Sequence, residues 1–300
     1  MVIVAERTQV TAKDFKSNQK STWCPGCGDF GIQNAIQTAL VNSGVAPWQV
    51  LFVSGIGCGS KLPDYITANG YMTLHGRGAT IGCGAHLANT KLQVIIIGGD
   101  GDSYGIGIGH MVHNMRRNMD VVHVVENNEV YGLTKGQYSP TSKRGFKTST
   151  SPEGAIEFGI NPLALALAAG ATFFGRCYSG DPKYAAEIIQ QAMEHKGYAL
   201  IDFLQTCPSY NKIQNNDWYK EHTYKILDEN PSYNCKDPLQ AFALAMKDDP
   251  RYPMGVLYKN DERPTYAEQI PVYQQNPAPI IEHSLDIPTE LFEKIKAGYV

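Results

Sequence analysis

The sequence predicts an α/β fold in three layers: a parallel β-sheet covered by helices on both faces, with a long C-terminal extension. Three observations predict it. Val94-Ile95-Ile96-Ile97 is a short apolar run that stops abruptly at Gly98-Gly99-Asp100-Gly101-Asp102, as a strand buried on both faces does when its loop faces a ligand. Val121 to Val125 repeats the design and ends at Asn127-Asn128, then Tyr131-Gly132. Around these runs, strand-like stretches alternate with helix-period stretches, the pattern of crossover units in a parallel sheet.

Taken in order, Met1 to Thr22 is polar and reads as an arm lying on something else. Trp23-Cys24-Pro25-Gly26-Cys27-Gly28 is a tight loop, and Asp29 is expected to cap a helix whose face is Ile32, Ala35, Ile36, Ala39 and Leu40, ending near Gly44. Val50 to Val53 is a strand broken by Ser54-Gly55-Ile56-Gly57-Cys58-Gly59. A second glycine-rich loop, Leu74 to Gly84, leads to a helix around Ala85 to Lys91. Ser103 to Arg117 can cross back over the sheet as a helix, with Arg116 and Arg117 at its negative end. Thr134 to Pro152 is a long polar loop of the kind that is functional or disordered. Pro162 to Ala169 is a helix and Ala171 to Phe174 a strand. Asp181-Pro182 opens another helix, stopped by Gly197, and Tyr198 to Leu204 is the final buried strand, ending at Thr206-Cys207-Pro208. These assignments divide the chain into an arm (1–22), a cofactor domain (23–208) and an extension (209–300) that wraps the domain or a partner, with helices at Pro238 to Lys247 and Thr289 to Ala297.

The 300 residues suffice for one large core. Charge is nearly balanced, 26 basic against 29 acidic, with no basic block, which argues against nucleic acid. The run near Val94 is too short to span a bilayer, and Met1 to Lys20 is unlike a signal peptide, so no membrane association and a cytoplasmic location are expected. Seven cysteines without an export signal favour metal ligation or catalysis over disulfides.

Two constellations carry chemistry. If the strands ending at Asp100 and Asn128 are neighbours, their oxygens converge on one hard cation; Mg²⁺ takes few protein oxygens and keeps the rest of its octahedron for phosphate and water. Gly98, Gly99 and Gly101 leave backbone N–H groups open to a diphosphate. Asp100 could instead cap the next helix, and Asn128 could be a turn residue, although Asn127 is free to take that role. Cys24 and Cys27 form a C-x-x-C pair, while Cys58 and Cys207 each follow a strand; these four thiols suit a zinc site, a [4Fe–4S] cluster or, for the pair alone, a redox dithiol. Cys83, Cys177 and Cys235 read as packing residues.

Gly99-Asp100-Gly101 with Asn128 downstream resembles the thiamine-diphosphate signature. Leu74-His75-Gly76-Arg77, Gly99 to His110, and Tyr131-Gly132-Leu133-Thr134-Lys135-Gly136-Gln137 through Ser139-Pro140-Thr141 resemble the β subunit of 2-oxoacid:ferredoxin oxidoreductases, over roughly Ser21 to Pro208. That resemblance implies Mg²⁺ on Asp100, Asn128 and the Val130 carbonyl. It implies thiamine diphosphate against Ile56, Gly57, Cys58, Gly59, His75, Gly99, Gly101, Asp102, Gly132 and Leu133. A single [4Fe–4S] cluster is implied on Cys24, Cys27, Cys58 and Cys207, and Lys61 is implied to face the 2-oxoacid carboxylate. Arg77 is left between a phosphate and a partner carboxylate.

The implied reaction is CoA-dependent oxidative decarboxylation of a 2-oxoacid, with electrons passed singly through the cluster to ferredoxin. The Tyr131 to Gln137 run is most similar to the two-subunit enzymes acting on 2-oxoglutarate or broadly, with pyruvate open. Thiamine enzymes also need a carboxylate on the aminopyrimidine, normally from a pyrimidine-binding domain; nothing in the chain resembles one, so an α subunit with that domain is the expected partner. A non-oxidative thiamine decarboxylase subunit leaves the placed cysteines without work. A zinc-stabilised scaffold predicts no thiamine binding.

Overall fold

The computed structural model describes residues 9–284 and 286–298; the first eight residues of the expected arm lie outside them. Its centre is an eight-stranded sheet. In chain order the first elements are α1 (Asp29–Asn42), β1 (Val50–Ser54), β2 (Asn69–Met72), α2 (Gly78–Ala88) and β3 (Gln93–Gly99). Next come a π-helical turn (Gly101–Ile106), α3 (Ile108–Arg117), β4 (Val121–Asn127), the small hairpin β5 (Val130–Tyr131) and β6 (Gln137–Tyr138), α4 (Pro162–Ala169), β7 (Phe173–Tyr178), α5 (Pro182–Glu194) and β8 (Tyr198–Leu204). The extension adds α6 (Asn216–His222), β9 (Thr223–Lys225), α7 (Ile226–Glu229), α8 (Pro238–Ala245) and β10 (Tyr252–Lys259), followed by short helices.

The strand order is β2-β1-β3-β4-β8-β7-β10-β9. From β2 to β7 every pairing is parallel; β10 then pairs antiparallel with β7, and β9 parallel with β10. The sheet is therefore mixed, and Tyr198–Leu204 is not its last strand. Pro253, Gly255 and a register shift between Val256 and Tyr258 break the alternation that would have marked β10 in sequence.

Period two sorts the strand side chains between two cores. Ile95 and Ile97 of β3, with Val122 and Val124 of β4, pack against Ile32, Ile36, Ile188 and Ile189 of α1 and α5. Val94, Ile96, Val121 and Val125 turn the other way, onto Cys83 of α2, Met111 and Met115 of α3, and Leu163 and Ala166 of α4. These are the three expected layers. The Ala/Leu-rich α4 is apolar on all sides because α8 covers its outer face, and the Asn161 amide that caps α4 also donates to the Ala245 carbonyl of α8. Beyond β10, Arg263 donates to the carbonyls of Gly170 and Arg116, and Tyr273 to that of Leu87. The extension thus wraps the α2–α4 side of its own domain.

Local differences have local causes. The helix expected from Ala85 starts about two turns earlier, at Gly78, and its glycine-rich start packs where Ile96 leaves no room for a side chain at Gly82. Asp29 is not a cap: Gly28 holds that position and Asp29 is the first, fully buried, helical residue. β2 is exposed along its length and lacks the apolar signal of the inner strands.

Candidate functional site

Parallel strands deliver all their carboxyl ends to one edge, and a crevice opens where neighbouring connections run in opposite directions. Here β1 leads to β2 on one side, while β3 lies on its other side, so the crevice forms at the ends of β1, β3 and β4. It holds a small cavity open to solvent. Ile56, Gly57, Cys58, Gly59, His75, Gly99, Asp100, Gly101, Asp102, Asn128, Val130, Gly132 and Leu133 all line it. Lys61, Cys24, Cys27 and Cys207 do not. Glu126, Tyr131, Thr134 and Gln205 join the lining and were not anticipated. A glutamate inside the valine run of β4 was the signal for the first; Gln205, two residues before Cys207, gave none.

Asp100 is 2% exposed. Its Oδ2 accepts from Ser139 Oγ at 2.5 Å and lies 2.7 Å from Thr141 Oγ1, which is itself 2.8 Å from Asn127 Oδ1. Burial nevertheless pushes its carboxyl up to about 6. Asp102, on the π-helical turn, ties the loops together: its Oδ1 accepts from Ile56 N at 3.0 Å and Gly76 N at 2.7 Å, and lies 2.7 Å from His75 Nδ1. The half-buried His75 ring is thereby aimed by a carboxylate. Arg77 meets the His110 ring at 2.8 Å.

Asn128 departs from expectation in one respect. Its Oδ1 accepts from Val130 N at 3.0 Å, so Asn128, not Asn127, makes the turn. Asn127 ends β4 as a buried residue and donates to Asp202 at 3.0 Å. Between Asn128 and Val130, Glu129 has φ +60°, a left-handed conformation uncommon for a non-glycine residue. It is held there by Gln214 at 2.9 Å and Tyr252 at 3.2 Å, and burial pushes its carboxyl up to about 7.

The donors fit a hard cation. A buried carboxylate, an amide oxygen and a backbone carbonyl at adjacent strand ends suit Mg²⁺ and not a thiophilic metal. A cation there would also relieve the desolvation that raises Asp100.

Behind the cavity lie the cysteines. The Cys24 to Gly28 loop is fastened to the β8 end by Gly28 N donating to the Thr206 carbonyl at 3.1 Å, and Trp23 Nε1 donates to the Cys58 carbonyl at 2.7 Å. A side chain at Gly132 would come within 3.6 Å of Cys58 Sγ and 3.8 Å of Cys207 Sγ. These are ordinary van der Waals distances, so the hairpin loop packs directly against both sulfurs. Burial, with neighbouring negative charge, raises the Cys58 thiol to about 11, against the lowering influence of Lys61. Burial raises Cys27 and Cys207 as well. Among the described residues, no group of three or more His, Cys, Asp or Glu side chains closes around a single ion. Four thiols, once gathered, are the donor set of an iron–sulfur cluster or zinc.

Between cavity and cysteines stand Asp29, Glu126 and Gln205, all buried. Burial raises Asp29 to about 6, and burial together with the Asp29 carboxyl raises Glu126 well above its ordinary range. The Glu126 carboxylate fills the space a side chain at Gly59 would need.

Fold and cavity define a class, and residues 55–203 match the family described as thiamine pyrophosphate enzyme, C-terminal TPP binding domain. Residues 207–275 match the C-terminal family of the pyruvate ferredoxin oxidoreductase beta subunit. The chain is 48% identical over 270 residues to a 2-oxoacid:ferredoxin oxidoreductase subunit beta from Saccharolobus solfataricus, covering 85% of this chain and 88% of that one. It is 44% identical over 286 residues to subunit beta of 2-oxoacid:ferredoxin oxidoreductase 1 from Aeropyrum pernix, with 92% and 88% covered. A 2-oxoglutarate:ferredoxin oxidoreductase from Magnetococcus marinus, solved with 2-oxoglutarate, coenzyme A and succinyl-CoA bound, superposes with TM-score 0.88 and 35% identity over 97% of each chain. The chain belongs to the β subunits of the 2-oxoacid:ferredoxin oxidoreductases. It is a subunit of an oxidoreductase with an α-subunit partner, built on a thiamine-diphosphate-binding domain. Among the described residues no helix is long and apolar enough to cross a membrane.

Proposed function

We propose that this subunit takes part in CoA-dependent oxidative decarboxylation of 2-oxoglutarate, giving acyl-CoA and CO₂ and sending two electrons, one at a time, through a single [4Fe–4S] cluster to ferredoxin. One observation carries the reading: Cys58 and Gly132 both line the oxygen-rich cavity at the strand ends, and Gly132 lies against the sulfurs of Cys58 and Cys207. Asp100, Asn128 and the Val130 carbonyl would hold Mg²⁺, and the Gly99 to Gly101 backbone would receive the diphosphate. When bound there, thiamine diphosphate would supply a nucleophilic carbon for the oxo group and an electron sink for the decarboxylation.

The chain's own side chains orient and insulate. Asp102 holds the His75 ring toward the cavity; Leu133 and Tyr131 present carbon surface to the cofactor; Lys61 supplies positive charge for the substrate carboxylate. Cys24, Cys27, Cys58 and Cys207 would ligate the cluster. The α subunit would contribute the pyrimidine-binding domain and its carboxylate. The test uses both subunits prepared without oxygen. About four irons per β chain with a cubane electron paramagnetic resonance signal, and ferredoxin reduction requiring both CoA and 2-oxoglutarate over pyruvate, are expected. Zinc in place of iron, or turnover indifferent to CoA, would overturn the reading.

A further inference from the structure

Gln205 reaches both sites. Its Oε1 accepts from Asn128 Nδ2 at 2.9 Å on the cavity side. On the other side its Nε2 donates to Asp29 Oδ1 and lies 3.9 Å from Cys27 Sγ, with Cys27 Sγ 3.2 Å from Asp29 Oδ2. Its backbone is fixed as well, since Gln205 N donates to the Asn127 carbonyl at 3.0 Å and its carbonyl accepts from Tyr219. The side chain is 1% exposed, in a wall whose other two members, Asp29 and Glu126, are carboxyls.

Resting on the assignment of Asn128 to the metal and Cys27 to the cluster, we propose that Gln205 is a positioning residue that couples the two. A cation drawing on Asn128 Oδ1 polarises that amide, and its Nδ2–H becomes the stronger donor to Gln205 Oε1. The Gln205 amide is polarised in the same sense, because bonds in such a chain reinforce one another where little water screens them. Its Nε2–H then turns more positive toward Asp29 and the Cys27 sulfur. Hydrogen bonding to cluster sulfur favours the more negative, reduced state. Loading of thiamine diphosphate and Mg²⁺ therefore raises the cluster's reduction potential. By linkage the reduced protein binds thiamine diphosphate and Mg²⁺ more tightly by the same factor. The electron exit is tuned to be better when the donor is in place.

The experiment measures that factor in the assembled two-subunit protein. Iron content and thiamine diphosphate affinity of the unmodified protein come first; absence of either refutes the proposed function, and this coupling with it. The potential is then titrated with and without thiamine diphosphate and Mg²⁺, and cofactor affinity is measured with the cluster oxidised and reduced. A coupling of about fivefold, near the lower end of the usual range, corresponds to about 40 mV for a one-electron couple.

Gln205→Met keeps the volume and removes both hydrogen bonds; Gln205→Glu keeps the acceptor toward Asn128 and removes the donor toward Asp29 and Cys27. Coupling below twofold in both, with iron and cofactor still bound, is the expected result. Tyr219→Phe touches only the Gln205 carbonyl and should leave it intact. No coupling in the unmodified protein, coupling that survives in either Gln205 variant, or equal loss in Tyr219→Phe would overturn the proposal. Failure of both Gln205 variants to assemble with both groups would make Gln205 a structural brace, also against it.

Discussion

The two sides of the Gln205 wall are built by different means. The oxygen side stands on the ends of β1, β3 and β4, whose residues are locked by core packing above and below the sheet. Its second layer is complete: Ser139 and Thr141 on Asp100, Asp102 on three loop groups, Gln214 and Tyr252 on Glu129. The cysteine side is assembled from three separate segments, at Cys24–Cys27, Cys58 and Cys207, joined by a few loop hydrogen bonds. A site on strand ends is held whether or not it is filled. A site on loops depends on what fills it, so the cysteine side should tolerate substitution least.

The largest effect therefore falls there. Cys58→Ser or Cys207→Ser should abolish the cluster, taking iron from about four per chain to near zero while thiamine diphosphate affinity stays within about tenfold, the scale of typical coupling between sites. Parallel iron analysis and calorimetry check both halves. The converse change, Asp100→Ala, should cost cofactor affinity more than the roughly 100-fold that loss of an outer-shell partner brings, with iron retained. If each variant emptied both sites, the two sides would be one cooperative unit and the contrast would fail.

The buried acids of the oxygen side and of the wall give the next effect, in stability. Asp100 and Asp29 are raised to about 6 and Glu129 to about 7 by burial. A carboxyl whose folded value is raised contributes stability that is whole below its ordinary value, near 4, and is lost as pH rises through 6 to 7. Cofactor-free protein should thus lose stability between pH 4.5 and 7.5, by about 2 kcal/mol for a fully buried acid such as Asp100, and Mg²⁺ with thiamine diphosphate should restore it at the upper end. Denaturant midpoints at the two pH values decide; a flat profile would mean these acids do not bear the burial ascribed to them. Thr141→Val, which keeps shape and removes one hydroxyl from Asp100, should weaken metal binding about 10- to 100-fold, read as the Mg²⁺ dependence of cofactor binding.

The same division decides what was legible in the sequence. The Asp100 and Asn128 strands announce themselves, because apolar runs ending at glycine, carboxylate and amide follow from burial on both faces, and the residues singled out from Ile56 to Leu133 line one cavity. Asn128 in the turn and Asn127 in the core could not be told apart by pattern: neighbouring amides exchange roles with a small rotation of the strand end. Asp29 read as a cap because capping is the commonest use of an aspartate before a helix; its burial depends on Gln205, which lies 176 positions away along the chain. β10 was hidden for a similar reason. Its place is set by the vacant edge of β7, not by its own alternation.

Lys61 carries the smallest and most discriminating prediction. It sits on the 3₁₀ turn Gly59–Tyr65, one turn beyond Cys58, with Nζ donating to Thr22 at 3.1 Å, outside the cavity lining. Its charge acts on Cys58 and Asp29, lowering both. Two roles follow, and they separate kinetically. If Lys61 captures the substrate carboxylate, Lys61→Met removes binding energy from ground state and transition state alike, so KM rises about tenfold while kcat stays within about twofold. If its work is on the cysteine side, KM stays put and the cluster potential falls, because a positive charge that favoured the reduced cluster is gone. Titrating the potential of Lys61→Met beside its kinetics assigns the residue to one side of the wall.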